Sequence, residues 1–577
     1  MRQILTNRGW QGRVLEAGGT LCALLLLGIV IGGGTAHAND IYIAQSATGA
    51  NNGSNCANAY PYTFFNAAGN WGAAANQIGP GTTVHLCGTF TGSAGGTLLA
   101  ARGSGTSGNP ITILFETGAT LTAPYWANGN NGGQSGAIAV NGFSYITING
   151  GPTCGWNQST LTTTACNGSI VNTQNGTNLA YQQYTTAIDL NNVDHITIEN
   201  LGCYNMYQRT GTAAEDTAWN QQHCVELEGR QTNITVTNCV FHDGGWLISS
   251  TSGTADNIFI GPGNDFYNAD HDVQTAPVHF YVFGNHFHDW AIWDAVGGPY
   301  HHDGVHCYAG TGGATQLFFG YNNQFDGNMG GVFQQFIYLE GNTSTTRCMV
   351  PGGTAYIFNN VMVANNGSEA IAAFYGNATS PGDVNDIYAN NTALGNVAGS
   401  TSACRAFQNV SGLTDENNAC GGFGELLNSL TGVASTKVVD YNAYENCSGY
   451  NCFAAYGVDT GIYATWLANN NCTGSVGSCD VHSVANLSSS TYFSLNSVCI
   501  PGSVAASCAP ISGSPLIAAG ANLTSLCSGQ PNPGLGALCS DINGVARPTS
   551  GAWDIGAYRF LSSLPPSAPT ALSASVN

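Results

Sequence analysis

Residues 234–240 read Ile-Thr-Val-Thr-Asn-Cys-Val, and the prediction of the fold starts from this stretch. Two apolar residues alternate with threonines, an asparagine follows, and another apolar residue stands two positions later. Alternation with a period of two is typical of a β-strand that buries one face, and asparagine tolerates the left-handed backbone of a sharp corner. The pattern recurs, once with Gly202 in its last position, around Asn200, Asn238, Asn264, Asn285, Asn323, Asn360 and Asn391.

The spacing of these asparagines indicates a solenoid. They are separated by 38, 26, 21, 38, 37 and 31 residues, which suits coils of parallel strands with loops inserted at the corners. Such coils bury their inner faces only by stacking into one continuous core. We therefore predict an all-β parallel solenoid with Val236, Phe283, Phe319 and Phe358 pointing inward. A propeller or sandwich of antiparallel strands, the alternative, would show a more even repeat and regular hairpin turns.

The composition disfavours several classes of partner. The 577 residues include 11 Lys+Arg and 32 Asp+Glu, for a formal net charge of -21, and 7% of residues are charged. A chain so poor in cations is a weak ligand for nucleic acid and for anionic membranes. With 43% hydrophobic residues it can still build a large core, which argues against disorder. We expect a monomer that does not bind nucleic acid.

The N-terminal residues have the features of a secretory signal. Arg2, Arg8 and Arg13 precede the apolar residues 21–31, and Ala36-His37-Ala38 offers small residues for cleavage. We predict a signal peptide over residues 1–38 and a secreted chain without membrane insertion, because the apolar stretch is shorter than the ~20 residues of a spanning helix.

Export implies disulfides, since the compartment is oxidising. Removal of Cys22 with the signal leaves 19 cysteines, so at least one is free or pairs with another chain. Short separations favour the pairs Cys154/Cys166, Cys447/Cys452, Cys472/Cys479, Cys499/Cys508 and Cys527/Cys539.

The repeated Ile-x-Ile-x-Asn-x-Phe pattern resembles that of the right-handed parallel β-helix proteins of the pectate-lyase-like superfamily. The C-terminal segments 541–548, Asp-Ile-Asn-Gly-Val-Ala-Arg-Pro, and 554–558, Asp-Ile-Gly-Ala-Tyr, are similar to the end of bacterial secreted β-helix proteins, where they close the last coil. The resemblance implies a right-handed β-helix over residues 39–560. Residues 561–577 are predicted to be a linker rich in Pro, Ser and Ala, similar at its end to the start of a truncated fibronectin type III module.

Ionisable residues concentrate in one region of a chain otherwise nearly free of charge. Eight histidines lie between residues 242 and 306, interleaved with aspartates. Within 298–308, Val305 and Cys307 are natural inward residues, so alternation turns His306 and Tyr308 outward. The same argument turns Glu226, Glu228, Tyr338 and Glu340 outward on their strands. If these strands stack on one face, Glu226, His306, Tyr338 and Glu340 line a groove.

We predict a carbohydrate site in that groove. The expected catalytic residues are Asp303, as acid or base before the flexible Gly304, with His302, His306, Glu226 and Glu340. The expected substrate-binding residues are Tyr300, Tyr308, Tyr338 and Trp293, whose rings can stack on sugars or simply pack loops. Asp303 could instead serve only as a cap for its turn.

Three functions remain open. A glycoside hydrolase with paired carboxylates is favoured, acting on an extracellular polysaccharide that is neutral because the chain has few cations. A polysaccharide lyase is the alternative enzyme, with a histidine/tyrosine couple or the scarce cations Arg209, Arg230 and Arg347. The third is a non-enzymatic adhesin or cell-surface rod. No metal is expected, apart from a weak indication of Ca²⁺ at the oxygen donors Asp265, Asn268, Asp270 and Asp272.

The sequence lacks the full motif sets of the characterised families in this superfamily. The Asn-Thr-Asp, Asp-Asp, Gly-His-Gly and Arg-Ile-Lys set of polygalacturonases is missing, as is the arginine pair of pectate lyases. Asp303-Gly304 is only similar to one Asp-Gly of the polygalacturonases. Pectin is therefore not assigned as the substrate.

Overall fold

The computed structural model describes most of the chain, all within the compact unit of residues 37–577. The described residues are 40–128, 135–174, 183–207, 222–250, 254–295, 301–308, 315–331, 333–340, 348–365, 372–375, 383–396, 402–408, 410–429, 438–447, 451–455, 458–468 and 479–562. The predicted signal peptide, nearly all of the predicted linker, Tyr300, Arg209 and Arg347 lie outside them.

Parallel strands dominate the described residues and join into one continuous sheet of 34 strands. Each strand pairs with the strand one coil earlier and one coil later, and successive segments of a coil belong to three different faces. The chain is an all-β, right-handed parallel β-helix, as predicted. Because every inner face is buried only against neighbouring coils, the core is a column of Ile, Val, Leu and Phe.

Face 1 contains the strands that carry the repeated Ile-x-Ile pattern. Ile196, Ile234, Ile258, Phe280 and Phe318 follow one another in register along it, and all are buried. Its strands are Asp40–Ala44, Thr83–Cys87, Ile111–Phe115, Ser144–Asn149, the second halves of Thr185–Glu199 and Gln222–Thr237, Thr254–Ile260, His279–Phe283, Thr315–Tyr321, Met349–Phe358, Ile387–Ala389, Thr414–Glu416 and Val438–Asp440.

Face 2 follows face 1 after the corner that contains the asparagines. Its strands are Thr89–Thr91, Thr120–Ala123, Gly168–Asn172, Leu201–Tyr204, the first halves of Val240–Ser250 and Asp265–Gln274, His286–His288, Gln324–Asp326, Val361–Ala364, Thr392–Gly395, Ala419–Gly421, Ala443–Glu445 and Val484–Asn486.

Face 3 closes the coil. Its strands are Leu99–Ala100, Ile138–Asn141, the first halves of Thr185–Glu199 and Gln222–Thr237, the second halves of Val240–Ser250 and Asp265–Gln274, His302–Cys307, Phe333–Leu339, Ala372–Tyr375, Ala406–Gln408, Leu427–Ser429 and Phe453–Ala455. The two long strands Val240–Ser250 and Asp265–Gln274 therefore continue from face 2 to face 3, which matters for the site.

Short elements lie outside the three faces. The additional strands are Tyr60–Pro61, Gly155–Asn157, Thr162–Thr164, Asp383–Val384, Val410–Ser411 and Val458–Thr460. The α-helices are Thr63–Asn66, Tyr463–Leu467 and Thr524–Cys527, and the 3₁₀ helices are Cys56–Asn58, Ala68–Asn70, Ala291–Ala295 and Leu535–Cys539. None of the described helices has the length and apolar character needed to cross a membrane.

The aligned asparagines occupy two neighbouring positions of the corner rather than one. Asn200 and Asn238 have φ of 57° and 51°, the left-handed corner position that the sequence suggested. Asn264, Asn285, Asn323, Asn360 and Asn391 stand one position later and form a buried ladder, continued by Asn418 and Asn442. Their side-chain amides bond to one another from coil to coil.

This shift of one residue reverses the predicted direction of the neighbouring strands, because a strand's side chains alternate between faces. Val236 points inward as predicted and is 1% exposed. The prediction is wrong for Phe283, Phe319 and Phe358, which face outward into a second apolar cluster. The inward residues there are the preceding ones, Val282, Phe318 and Ile357.

The C-terminal segment runs along the outside of the coils. The coils end at Asn486, not at residue 560, and Leu523, Leu538 and Trp553 cover the outward phenylalanines. Arg547 donates to Asn359 Oδ1 at 3.0 Å, and the Gly556 N–H donates to the carbonyl of Asn417 at 2.8 Å.

The predicted closure of the last coil by this segment is wrong. The buried Trp466 of helix Tyr463–Leu467 instead packs on Phe453 of the last face-3 strand, with ring centroids 5.0 Å apart. A short helix thus covers the end of the core, where apolar side chains and strand edges need protection.

Disulfides connect neighbouring coils and loops. The predicted pairs Cys154–Cys166, Cys447–Cys452, Cys499–Cys508 and Cys527–Cys539 are formed. Cys479 is also disulfide-bonded, whereas its predicted partner Cys472 lies outside the described residues. Sequence separation did not reveal the bridges Cys56–Cys87, Cys203–Cys224, Cys307–Cys348 and Cys404–Cys420. Among the described cysteines the free one is the buried Cys239.

Candidate functional site

The histidine-rich region separates into two groups because its strands turn a corner. His242, His286 and His288 lie on or beside face 2, whereas His271 and His306 lie on face 3. His301 and His302 join the face-3 group, and His279 lies on face 1 with its Nδ1 2.7 Å from Asp256. The region therefore offers two candidate sites.

A row of polar side chains follows face 3 from coil to coil. The register places Asp189, Glu226, Ser249, Gln274, His306 and Tyr338 in line on successive strands. Each is at most 8% exposed. Glu226, His306 and Tyr338 thus share one face, but Glu226 lies three strands from His306, about 14 Å at ~4.8 Å per strand. It does not belong to the cluster around Asp303.

Asp303 is the centre of the face-3 histidine group. Its Oδ2 lies 2.7 Å from His301 Nδ1, 3.3 Å from His271 Nε2 and 3.6 Å from His306 Nδ1. Its Oδ1 accepts a hydrogen bond from the backbone N–H of Gln335 at 3.0 Å. The side chain is fully buried. The bond to Gln335 lies across the sheet, so Asp303 does more than cap its own turn.

Further carboxylates hold the outer nitrogens of these histidines. Asp270 lies 2.9 Å from His271 Nδ1 and 2.6 Å from His302 Nδ1, and Glu340 lies 3.0 Å from His306 Nε2. The imidazoles are consequently fixed in orientation. His302, predicted to act beside Asp303, is fully buried, and its Nδ1 is paired with the carboxylate of Asp270 instead.

The environment keeps Asp303 ionised. Burial alone would raise the pKa of its carboxyl, but the charge of His301 and contacts with His271 and His306 hold that pKa well below its usual range. Burial would likewise lower the pKa of His271, yet Asp270 and Asp303 raise it to about 10. For His306 burial prevails, and its pKa is lowered. The lowered pKa of Asp303 favours a base over an acid for its predicted role.

A second group on face 3 consists of three carboxyl groups. Asp189 and Glu226 are register partners on adjacent strands, and Glu228 follows two residues later on the same strand. Burial and the charges of Glu228 and Glu226 raise the pKa of Asp189 to about 8. Burial and the charge of Glu226 raise the pKa of Glu228 to about 7.

Hydrogen bonds from neighbouring groups position these carboxyl groups. Thr186 donates to Glu226 Oε2 at 2.7 Å, Asn191 donates to Glu228 Oε2 at 3.1 Å, and a backbone N–H donates to Asp189 at 3.2 Å. Sequence reasoning named Glu226 and missed Asp189. The alternation Ile188-Asp189-Leu190 was the available signal, since it turns Asp189 to the same side as Glu226.

The predicted sugar-binding aromatics have different surroundings. Tyr338 stacks on His306 with ring centroids 4.9 Å apart, and the half-buried Tyr308 lies 5.4 Å from the same ring. Trp293 is fully buried against Tyr207, so its assignment as a sugar platform is wrong. Its indole N–H donates to the carbonyl of Asn268 at 3.1 Å.

The proposed calcium donors are engaged by different partners. Asp265 accepts from Thr163 and lies 2.8 Å from His286 Nδ1, and Asn268 donates to Asp243. Trp246 and Trp290 donate to Asp270 and Asp272. Because these oxygens face separate nitrogen and hydroxyl donors, they form no common calcium shell among the described residues.

The second candidate site is a groove on face 2 with a cavity of about 700 Å³. Tyr204, His242, Tyr267 and His288 stack along one wall, with ring centroids 4.4–5.0 Å apart. Trp156 covers His286, which lies between Asp265 and Asp326 at 2.8 and 2.9 Å. The groove offers flat aromatic surfaces, while its buried histidine is fully occupied by two carboxylates.

Comparison with known proteins finds weak similarity to several solved structures. No protein-family model and no curated protein matches the chain. It is similar to the crystal structure of pectate lyase Pel9A, with 13% identity over 90% of this chain and 96% of that one and a TM-score of 0.33. It is also similar to an alginate lyase from Paenibacillus sp. str. FPU-7, with 13% identity, 63% and 91% coverage and a TM-score of 0.29. It is similar as well to a Yersinia enterocolitica family 28 exopolygalacturonase, with 11% identity over 65% of this chain and 70% of that one and a TM-score of 0.25.

Proposed function

We propose that this protein is a secreted carbohydrate-active enzyme that hydrolyses a neutral extracellular polysaccharide at face 3. The observation that carries the proposal is the group of Asp189, Glu226 and Glu228, three carboxyl groups on two adjacent strands, two of which have raised pKa values. Glycoside hydrolysis requires one carboxyl that is protonated near neutral pH and a second that is ionised.

We assign the acid role to Glu228 and the second carboxylate to Glu226. A pKa of about 7 suits a group that must donate its proton to the leaving oxygen and be reprotonated in each cycle. Glu228 is 6% exposed, whereas Asp189 and Glu226 are fully buried, so Glu228 is the member of the group that solvent reaches. Asp189, whose pKa is raised to about 8, is itself mostly protonated near neutral pH, so Glu226 is the charged neighbour that raises the pKa of Glu228.

The charge of this group supports a neutral substrate. A uronate would bring a further negative charge beside three carboxyl groups, which costs binding energy unless cations compensate it. Arg230, which lies two residues from Glu228, is exposed. Secretion is supported by the disulfides, which form in oxidising compartments.

Elimination by a lyase is the second candidate function. The stacked pair of His306 and Tyr338 supports it, since a histidine and a tyrosine can act as base and acid. The pair lies on the same face but about 14 Å from Glu226, so variants separate the two mechanisms cleanly.

The test is product formation from a panel of neutral and uronic acid polysaccharides by the chain without residues 1–38. Reducing-sugar release without new ultraviolet absorbance indicates hydrolysis, and absorbance of an unsaturated product indicates elimination. Glu228→Gln should lower turnover by about 10²-fold or more. Glu416→Gln is the matched control, because burial also raises the pKa of Glu416 to about 7 but that residue lies on face 1.

Full turnover in Glu228→Gln would refute the assignment of the acid. No product from any polysaccharide, in a folded protein, would favour the non-enzymatic rod. Formation of only unsaturated products across the panel would show that the reaction is elimination rather than hydrolysis.

A further inference from the structure

We infer that His271, Asp303 and His306 form a binding site for a divalent transition metal ion of the zinc type. The inference goes beyond the proposed hydrolysis and does not depend on it, because the site lies about three strands from Glu226 along face 3.

The three donor atoms have the spacing of metal ligands. Asp303 Oδ2 lies 3.3 Å from His271 Nε2 and 3.6 Å from His306 Nδ1, and all three atoms lie within 4.8 Å of one another. Tetrahedral zinc with bonds of ~2.0–2.1 Å places its ligand atoms roughly 3.3–3.5 Å apart. The distance between the His271 and His306 ring nitrogens is at most 4.8 Å, and its contraction to the same spacing would complete one face of a tetrahedron.

Two of these atoms make ion pairs within the histidine group but no hydrogen bond to any described residue. Asp303 Oδ2 and His306 Nδ1 are buried and have no hydrogen-bond partner among the described residues. Their side chains are 0% and 5% exposed. A buried polar atom without a partner destabilises the fold, so such atoms are rare and call for an explanation. A bound cation between them supplies one.

His301 lies beside the fourth position of the site. Its Nδ1 is 2.7 Å from Asp303 Oδ2 but also lacks hydrogen-bond geometry, and its side chain is 21% exposed. Because ligand atoms of tetrahedral zinc lie roughly 3.3–3.5 Å apart, His301 at 2.7 Å is a neighbour of the site, and the fourth position is left to water, as in zinc sites that keep one open position.

The outer contacts are those that orient metal-binding histidines. Asp270 lies 2.9 Å from His271 Nδ1, and Glu340 lies 3.0 Å from His306 Nε2. In both cases a carboxylate fixes one ring nitrogen and leaves the other to point toward Asp303. Carboxylate–histidine–metal arrangements of this kind are general in metalloproteins.

The face-2 group of Asp265, His286 and His288 is a useful contrast. Both ring nitrogens of His286 are hydrogen-bonded, to Asp265 and Asp326. His288 Nδ1 is similarly bonded to Asp289 at 2.8 Å. These ring nitrogens already have hydrogen-bond partners within the protein. The face-3 group is therefore the better candidate for a metal site.

Imidazole and carboxylate together suit Zn²⁺, Co²⁺ or Ni²⁺ better than Ca²⁺ or Mg²⁺, which prefer oxygen ligands alone. The test uses the mature chain without a polyhistidine tag. It is treated with a chelator, reloaded with Zn²⁺, freed of excess ion and analysed by elemental mass spectrometry. We expect one zinc per chain, and Co²⁺ loading should give the intense visible absorbance of tetrahedral coordination.

Variants assign the ion to its ligands. His306→Gln and His271→Gln should each lose the ion, whereas the matched control His288→Gln on face 2 should retain it. Glu340→Gln should keep a stoichiometry of one but weaken affinity about 10- to 100-fold, since it removes only the outer contact. Circular dichroism verifies the fold of each variant.

Wild-type protein that binds no zinc or cobalt would overturn the inference, as would unchanged stoichiometry in a folded His306→Gln. Loss of the ion in His288→Gln alone would assign it to face 2 and would also overturn it. Should the ligand variants fail to fold, the cobalt spectrum of the wild type and the affinity of Glu340→Gln still decide. Metal content is measured without substrate, so failure here is distinguishable from failure of the proposed hydrolysis.

Discussion

Replacement of Asn323 by alanine tests the asparagine ladder directly. The Asn323 amide donates to the carbonyl of Val282 at 3.0 Å and to Asn360 Oδ1 at 3.1 Å. Its Oδ1 accepts from the backbone and the side chain of Asn285 at 3.1 and 3.2 Å. Asn323→Ala therefore removes four hydrogen bonds in the interior of the corner, although the Asn285 side-chain amide and Asn360 Oδ1 each keep one other bond.

The expected destabilisation follows from these four bonds. At about 1–1.5 kcal/mol each, their loss lowers the free energy of unfolding by about 4–6 kcal/mol. Unfolding entropy of ~2.1 cal/mol/K per residue over roughly 500 residues converts this to a melting temperature lowered by about 4–6 °C if the coils unfold together. Coils that unfold separately would concentrate the effect locally.

The assay is thermal unfolding combined with hydrogen exchange, which detects local opening. The matched control is Asn322→Gly, because Asn322 holds the preceding left-handed corner position with a φ of 55° that glycine adopts freely. We expect less than about 1 kcal/mol from the control and faster exchange in the coils of Asn285 and Asn360 in Asn323→Ala. Equal effects of the two substitutions would refute the argument that the ladder stabilises the stack.

Two further predictions concern the core and pH. Phe280→Ala should destabilise the fold by about 3–5 kcal/mol, because it leaves a cavity in the central core. Phe283→Ala, at a half-buried outward position, should cost less than about 2 kcal/mol. Chemical denaturation measures both free energies, and a larger loss in Phe283→Ala would contradict the assigned side-chain directions. The folded-state pKa values of Asp189 and Glu228, about 8 and 7, lie above ordinary values, so the folded state binds more protons than the unfolded state between pH 4 and 8. Stability should fall as pH rises from 5 to 8, and the fall should be smaller in Asp189→Asn; an identical slope in the variant would contradict the raised pKa. Turnover should decline above pH 7 for the same reason.

The fold was predictable because its repeat is present in the sequence, but the phase of the repeat was not. Around Ile234 and Val236 the pattern gave the correct inward residues. In later coils both faces of the face-1 strands are apolar, since Phe280 and Val282 face the core while Phe283 faces the C-terminal segment. Alternation cannot choose between two apolar faces, so the predicted inward face depended on the asparagine used to align the coils. In these coils that asparagine stands one position later in the corner than in the coils of Asn200 and Asn238, which reversed the predicted faces.

The candidate site was predictable in part for a related reason. Outward positions on one strand, such as His306, follow from the alternation of Val305 and Cys307, and its neighbours across the sheet follow from stacking. The separation of the two histidine groups was missed, although Asn268, whose φ is 52°, marks the corner that carries Asp265–Gln274 from face 2 to face 3. The effect of burial on Asp189 and Asp303 also required the structure, since equal carboxyl groups acquire opposite pKa shifts from their surroundings.

The position of the C-terminal segment has a consequence for biogenesis. Coils can stack in the order in which they are synthesised, but Phe319, Tyr321 and Phe358 gain their cover only when Leu538 and Trp553 arrive, more than 170 residues later in the chain. Until then these aromatic side chains remain exposed on coils that are otherwise folded, and they can associate with other apolar surfaces. The C-terminal segment therefore packs last. A chain that ends before this segment would leave the apolar surface exposed, and proteases and chaperones would recognise it.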